Sequence, residues 1–149
     1  MSPIDNATRY REIHDLEVAL FNILGKIPTY FRPPYGDCNI QCITQLHDMG
    51  YHVVGWDLDT RDWEYTTEAT WELALKKFTS RHNDKHGDNH LVLMHDVQQM
   101  TASDLLPAVL QSLKNDNHDR LNVTVGDCLF DPPQNWYRLP GRDWDRNPS

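Results

Sequence analysis

Nowhere in the 149 residues does an apolar run approach the roughly 20 residues that a membrane-spanning helix needs. Positive charge is also short. Fourteen Lys and Arg stand against 22 Asp and Glu, for a formal net charge of -8. A chain of that sign gains nothing from phosphate contacts, which argues against nucleic acid as a partner. Cysteine is scarce and odd in number, three in all, so no fully paired disulfide framework can hold the chain. Internal repeats, low-complexity segments and marked domain boundaries are absent. Met1 to Thr8 has no basic stretch followed by an apolar one and does not read as a secretory signal.

What is there is globular. Hydrophobic residues make up 39% and charged residues 24%, enough apolar side chain for one domain over residues 1–149 with a core of its own. Residues 6 to 24 read as an amphipathic helix, with Tyr10, Ile13, Leu16, Leu20, Ile23 and Leu24 at helical spacing. Gly25 is its expected stop, and Pro28 prevents resumption. Tyr30-Phe31-Arg32 reads as a strand cut off by Pro33-Pro34. A helix over 39–49 follows, with Ile40, Ile43 and Leu46 as its apolar face, and then an aromatic, β-branched strand from Tyr51 to Trp56.

Asp57 to Tyr65 is polar and is expected to be irregular. A third helix is predicted over 67–80, with Trp71, Leu75 and Phe78 inward. Leu91 to Met94 is a short apolar run of the kind buried on both faces. Thr101 to Asp104 fits a capping box that opens a helix to about Lys114. Leu121 to Val125 reads as a last strand, and the Pro-rich tail beyond Cys128 as an irregular layer. Alternating strands and helices predict an α/β fold with parallel strands and outer helices. The strands number about four, half of the roughly eight in a closed α/β barrel.

In parallel α/β folds, functional residues gather at the C-terminal ends of strands. Three polar groups fall there: Arg32-Pro33-Pro34-Tyr35-Gly36, Asp59-Thr60-Arg61-Asp62-Trp63, and His95-Asp96. Singly, each has a plain structural explanation as a turn, a solvated loop or a satisfied core histidine. Their recurrence at the same place in successive βα units favours a site in which a base is oriented, an acid tuned and an apolar pocket lined.

These groups resemble the motifs of the polysaccharide deacetylases, the NodB-homology domains of carbohydrate esterase family four. R-x-P-Y-G is matched by Arg32 to Gly36, D-x-x-D-W by Asp59 to Trp63, and L-x-L-x-H-D by Leu91 to Asp96. The closing segments 124–129 and 131–138 are similar to the end of fungal chitin deacetylases, so the resemblance covers about residues 8–138. It implies an incomplete (β/α) barrel of the NodB type. It also implies removal of acetyl groups from a polysaccharide such as chitin, an extracellular setting, and zinc as the activator of water in the complete domain. By the family pattern Arg32 would orient the catalytic aspartate, and the backbone N–H of Tyr35 would help hold an oxyanion. His95 would be the general acid, with Asp62 favouring its protonated form. Trp63 and Leu93 would line the acetyl pocket.

The same resemblance implies what is missing. The family's first two motifs, T-F-D-D-G and H-[ST]-x-x-H, supply the catalytic base and the metal ligands, and both should precede the first helix. No Asp-Asp pair occurs anywhere in the chain. The expectation is therefore a truncated domain that retains no zinc and is inactive alone. His82, His86 and His90 recur every four residues, but a loop containing Asn83, Gly87 and Asn89 is a poor helix former and reads as solvated. In fungal relatives a C-x-x-x-C pair bridges locally, which Cys38 and Cys42 match. The partner expected for Cys128 lies near the start of the complete domain. Asn6-Ala7-Thr8 and Asn122-Val123-Thr124 fit the common N-glycosylation tripeptide. Exposed sheet edges would allow a homo-oligomer. The alternative is a carbohydrate-binding pseudo-enzyme that offers Trp63, Tyr35 and Trp136 to sugar rings.

Overall fold

The computed structural model describes residues 1–82, 89–115 and 121–141. The chain divides into two compact units, Met1–Gly55 with Val123–Ser149, and Trp56–Asn122. Each contains one parallel strand–helix–strand unit, so the α/β alternation is present in both.

In the first unit, α1 spans Asn6–Leu24. The Asp5 carboxylate caps it by accepting the Thr8 N–H, and Gly25 ends it in the left-handed region at φ 68°, as its lack of a Cβ allows. β1 (Ile27–Pro28) and β2 (Tyr30–Phe31) follow. Next come a 3-10 turn over Pro34–Gly36, α2 (Ile40–Asp48) and β3 (His52–Val53). β2 and β3 pair in parallel. Ile13, Cys42, Leu46 and Tyr51 form the buried core, with Phe31, Cys38, Met49 and Val53 packed on it.

The face that α1 buries differs from the apolar stripe expected of it. Arg9, Ile13 and Glu17, one above the other at i, i+4 and i+8, are its buried residues. Leu16, Ile23 and Leu24 are exposed. Two buried charges are tolerable because both are hydrogen-bonded. The Arg9 guanidinium donates to the carbonyls of Met1 and Ile4 and to the side chains of Asn6 and Gln45. Glu17 accepts from the Tyr51 hydroxyl at 2.6 Å and from Arg138 at 2.5 Å. Burial, then the adjoining Glu17 carboxylate, push the Tyr51 phenol above its ordinary range. In α2 likewise, Cys42 and Leu46 are buried while Ile40 and Ile43 are exposed.

Within the described residues, the tail beyond Cys128 carries regular structure. The last strand among the described residues, β6 (Tyr137–Arg138), pairs antiparallel with β1. Thr29 donates its hydroxyl to the Asn135 carbonyl and its N–H to the Trp136 carbonyl. The last strand expected at 121–125 is not formed. Val125 instead begins a short helix, α5 (Val125–Cys128), whose capping box joins the Thr124 hydroxyl and the Asp127 carboxylate. T-x-x-D occurs at both Thr101 and Thr124, and the cap forms at the second.

In the second unit, β4 (Leu58–Asp59) lies inside the stretch expected to be irregular and pairs in parallel with β5 (Val92–Leu93). The helix between them, α3, spans Trp71–His82. Leu58, Ala74, Phe78, Leu105 and Val109 form the core, with Trp71, Leu75, Val92 and Met94 against it. His82 is buried and stacks on Phe78 at 5.1 Å between ring centroids. His86 lies outside the described residues. The helix expected to open with a capping box at Thr101 opens differently. Met100 is already helical, Thr101–Leu105 is a π turn closed by the Leu106 N–H on the Thr101 carbonyl, and α4 (Leu106–Lys114) continues it. A residue inside a helix cannot serve as its N-cap, and the Thr101 hydroxyl is turned elsewhere.

Candidate active site

The site in the second unit is built on the exit of the β4–β5 pair. At the end of β4 the chain turns on Asp59, whose carboxylate accepts the Arg61 N–H at 2.8 Å. Arg61 sits at φ 53°, a conformation uncommon without glycine, and its guanidinium pairs with Glu64. The turn is completed by Glu64 N–H on the Arg61 carbonyl and Tyr65 N–H on the Asp62 carbonyl. Asp62 is thereby held inward, 1% exposed, while Trp63 is half exposed with the Arg61 guanidinium 5.9 Å from its ring centre.

Asp62 is the hub. Its Oδ2 accepts the His95 backbone N–H at 2.6 Å and the Thr101 hydroxyl at 2.7 Å. Its Oδ1 accepts from His95 Nδ1 at 2.8 Å. Thr60 Oγ1 lies 3.4 Å from Oδ1 but 3.0 Å from the Leu93 carbonyl, and its single proton goes to the nearer acceptor. Burial alone would raise the Asp62 pKa. The hydrogen bonds from the His95 side chain, the His95 backbone and Thr101 outweigh it and hold the carboxyl below its ordinary value. An ionised carboxylate can only accept, so Nδ1 of His95 carries the hydrogen. Nε2 is the ring nitrogen left to act outward from a side chain 36% exposed. A histidine oriented at Nδ1 by a buried carboxylate is suited to moving a proton at Nε2.

A second pair, at the entrance of the same strands, repeats the pattern. Asp57 accepts from His90 Nδ1 at 2.6 Å and from the Leu91 N–H at 2.5 Å. Half-buried Leu93 stands in β5 between the two pairs. In the first unit, half-buried Arg32 directly follows β2. Tyr35 lies in the 3-10 turn at φ 58° and is 99% exposed. Cys38 and Cys42 are bridged, tying that turn to α2, and Cys128 is free and exposed. Trp136 is a structural residue. Its indole N–H donates to the Asp131 carbonyl, and its ring covers Gly126 so closely that a Cβ there would lie 2.2 Å from Nε1.

No family model matches the chain. Individual proteins do. It is 34% identical over 139 residues to a chitin deacetylase of Colletotrichum lindemuthianum, covering 93% of this chain and 55% of that protein. A chitin deacetylase of a Pestalotiopsis species is 36% identical over 95% of this chain and 45% of its own length. The solved structure of the Colletotrichum enzyme superposes with a TM-score of 0.84 at 35% identity over 91% of this chain and 59% of that one. A family 4 carbohydrate esterase from Streptomyces lividans, solved with acetate, superposes with a TM-score of 0.63 at 26% identity, covering 76% and 55%.

The chain is a homologue of the polysaccharide deacetylases. It spans about half the length of the curated relatives it matches. Zinc, which this family implies, does not fit the side chains described. Both Asp62 oxygens and His95 Nδ1 are committed to one another and to Thr101. Among the described residues no three His, Cys, Asp or Glu side chains gather to hold an ion. Of the candidate site residues, Leu93 lies on β5, Asp62, Trp63 and His95 follow β4 or β5 in the second unit, and Arg32 and Tyr35 lie in the first unit. Thr60 and Thr101 were missed. No local pattern marks a threonine that serves an aspartate 39 residues away.

Proposed function

We propose that this chain carries the proton-donating side of a polysaccharide deacetylase, acting on N-acetylated glycans of the chitin type, and that these 149 residues do not complete the hydrolysis by themselves. The observation that carries the reading is the buried Asp62 carboxylate on His95 Nδ1 at the exit of two parallel strands. With Nδ1 held, a protonated His95 would deliver the Nε2 proton to the departing amine nitrogen as the carbon–nitrogen bond of the acetamide breaks. Asp62 would balance the positive charge of the ring. Leu93 and Trp63 would face the acetyl methyl, Arg32 would orient a carboxylate base, and the Tyr35 N–H would meet the oxyanion. The two strand–helix–strand units are read as part of a NodB-type barrel.

The base and the metal ligands are the groups that this reading lacks. No Asp-Asp pair is present in the sequence, and the donors near His95 do not fit zinc. A second reading, glycan binding without turnover, is favoured by the half-exposed Trp63 ring and the fully exposed Tyr35 ring, since aromatic faces stack on sugars. Titrating the chain with chitin oligosaccharides while following the Trp63 indole and His95 ring resonances, with acetate measured in parallel, tests both. Shifts at both residues without acetate support the proposal. Shifts at the aromatic rings alone, with His95 unmoved, favour simple binding. Acetate release would overturn the claim that these residues do not complete the hydrolysis by themselves.

A further inference from the structure

The π turn at the head of the last helix of the second unit has no role in the chemistry assigned so far. Thr101 is 4% exposed and lies on Thr101–Leu105, where the Leu106 N–H closes an i to i+5 hydrogen bond on the Thr101 carbonyl. Turns of this kind are rare and recur at functional sites. The widened turn presents the Thr101 hydroxyl to Asp62 Oδ2 at 2.7 Å, in a contact buried on both sides. This contact differs from those of its neighbours. The Thr60 proton is spent on the Leu93 carbonyl. The His95 N–H fixes the backbone against the same oxygen, while Oδ1 is left to the imidazole.

We propose that Thr101 is the positioning residue of the acid pair: its hydroxyl holds Asp62 ionised and turned so that one carboxylate oxygen is reserved for His95. The inference rests on the proposed role of His95 as proton donor, but it concerns the state of Asp62 and can be read without turnover. Other charged groups about the pair have partners of their own. Arg61 pairs with Glu64, Asp59 accepts the Arg61 N–H, and Asp104 takes the Ser103 hydroxyl. Asp96, next to His95, is exposed. Thr101 is therefore the neutral side-chain donor to Oδ2 whose loss acts on Asp62 directly. Burial opposes the Asp62 charge, so each donor removed lets the protonated form gain.

The test is a carbon-13 titration of the Asp62 carboxyl in the whole chain, for the native protein and for Thr101→Val, Thr101→Ala and Thr101→Ser. A hydrogen bond to a charged acceptor supports a rise in the Asp62 midpoint of about one pH unit in the Val and Ala variants. The Ser variant, which keeps the hydroxyl, should restore the native value. A purely structural role for Thr101 would lower stability in Val, Ala and Ser alike without moving that midpoint selectively. Should neither Val nor Ala fold, the native chain still gives an answer. The Thr101 hydroxyl proton should exchange slowly above the Asp62 midpoint and quickly below it. An Asp62 midpoint unchanged in Val or Ala, or a hydroxyl proton indifferent to Asp62 ionisation, overturns the proposal. Absence of acetate release leaves this readout intact, so the failure of the catalytic reading and the failure of this one are separable.

Discussion

Replacing Asp62 by Asn changes the chemistry of one atom and almost nothing of its shape. In the native site the carboxylate accepts three hydrogen bonds, from the His95 N–H, the Thr101 hydroxyl and His95 Nδ1, at 2.6, 2.7 and 2.8 Å. Asparagine offers one carbonyl oxygen and one amide group with two hydrogens. If its oxygen keeps the two donors on the Oδ2 side, its amide must face Nδ1, and Nδ1 must then accept. The imidazole proton moves to Nε2, and the fixed tautomer is the wrong one for a ring that must be recharged at Nε2. Hydrogen bonds to a charged acceptor contribute about 1.5–3 kcal/mol and neutral ones about 0.5–1.5 kcal/mol, so the exchange should lower stability by about 2–3 kcal/mol near neutral pH.

The sign of the pH dependence follows from the carboxyl. Asp62 is held below its ordinary value of 3.8. Its contribution is present above the unfolded pKa and is lost as pH falls through the folded one. The stability gap between native and Asp62→Asn chains should therefore narrow as pH drops below that ordinary value. Urea unfolding across the acid range measures the gap, and long-range nitrogen-15 correlation of the His95 ring identifies the tautomer. A variant that keeps its proton on Nδ1, or a gap that does not narrow in acid, would show that the Asp62 charge does not hold the ring.

Three further outcomes follow from the packing. Tyr51→Phe removes one donor from buried Glu17 and should lower stability by about 1–2 kcal/mol in urea unfolding; Glu17→Gln in the same background should then cost less than it does in the native chain. Gly126→Ala puts a Cβ 2.2 Å from Trp136 Nε1, so the indole must leave the Asp131 carbonyl. Its emission should move to the red, with a loss of about 1–3 kcal/mol. Reducing the Cys38–Cys42 bridge, whose residues are separated by 4 in sequence, should cost only about 2 kcal/mol, because so short a loop gains little chain entropy when opened; thermal unfolding with and without reductant measures it.

The elements most legible in the sequence were those with strong local signals. Asp5 and Gly25 bound α1 as its caps, and α2 ends one residue from its expected limit because Gly50 follows it. The Arg32 and His95 groups are legible because each adjoins a strand that the sequence marks, whereas the Asp59 group, expected to follow the strand at 51–56, follows β4 instead. Less legible was which face each helix buries. Arg9 and Glu17 are internal because Gln45, Tyr51 and Arg138, all distant in sequence, satisfy them. An apolar stripe gives no hint of such partners. β4 was hidden because two residues of a buried parallel pair, Leu58 and Asp59, carry no periodicity. The T-x-x-D pattern was read at the wrong threonine, since the hydroxyl of Thr101 is claimed by Asp62 and a tertiary partner outranks a local cap.

The most direct test of the central claim is to incubate the purified chain with zinc, remove the excess, and measure bound metal and acetate release from chitin oligomers on the same sample. Negligible tightly held zinc and no acetate are expected, with His95 still responding to the glycan. About one zinc per chain, with acetate release abolished by His95→Ala, would contradict it.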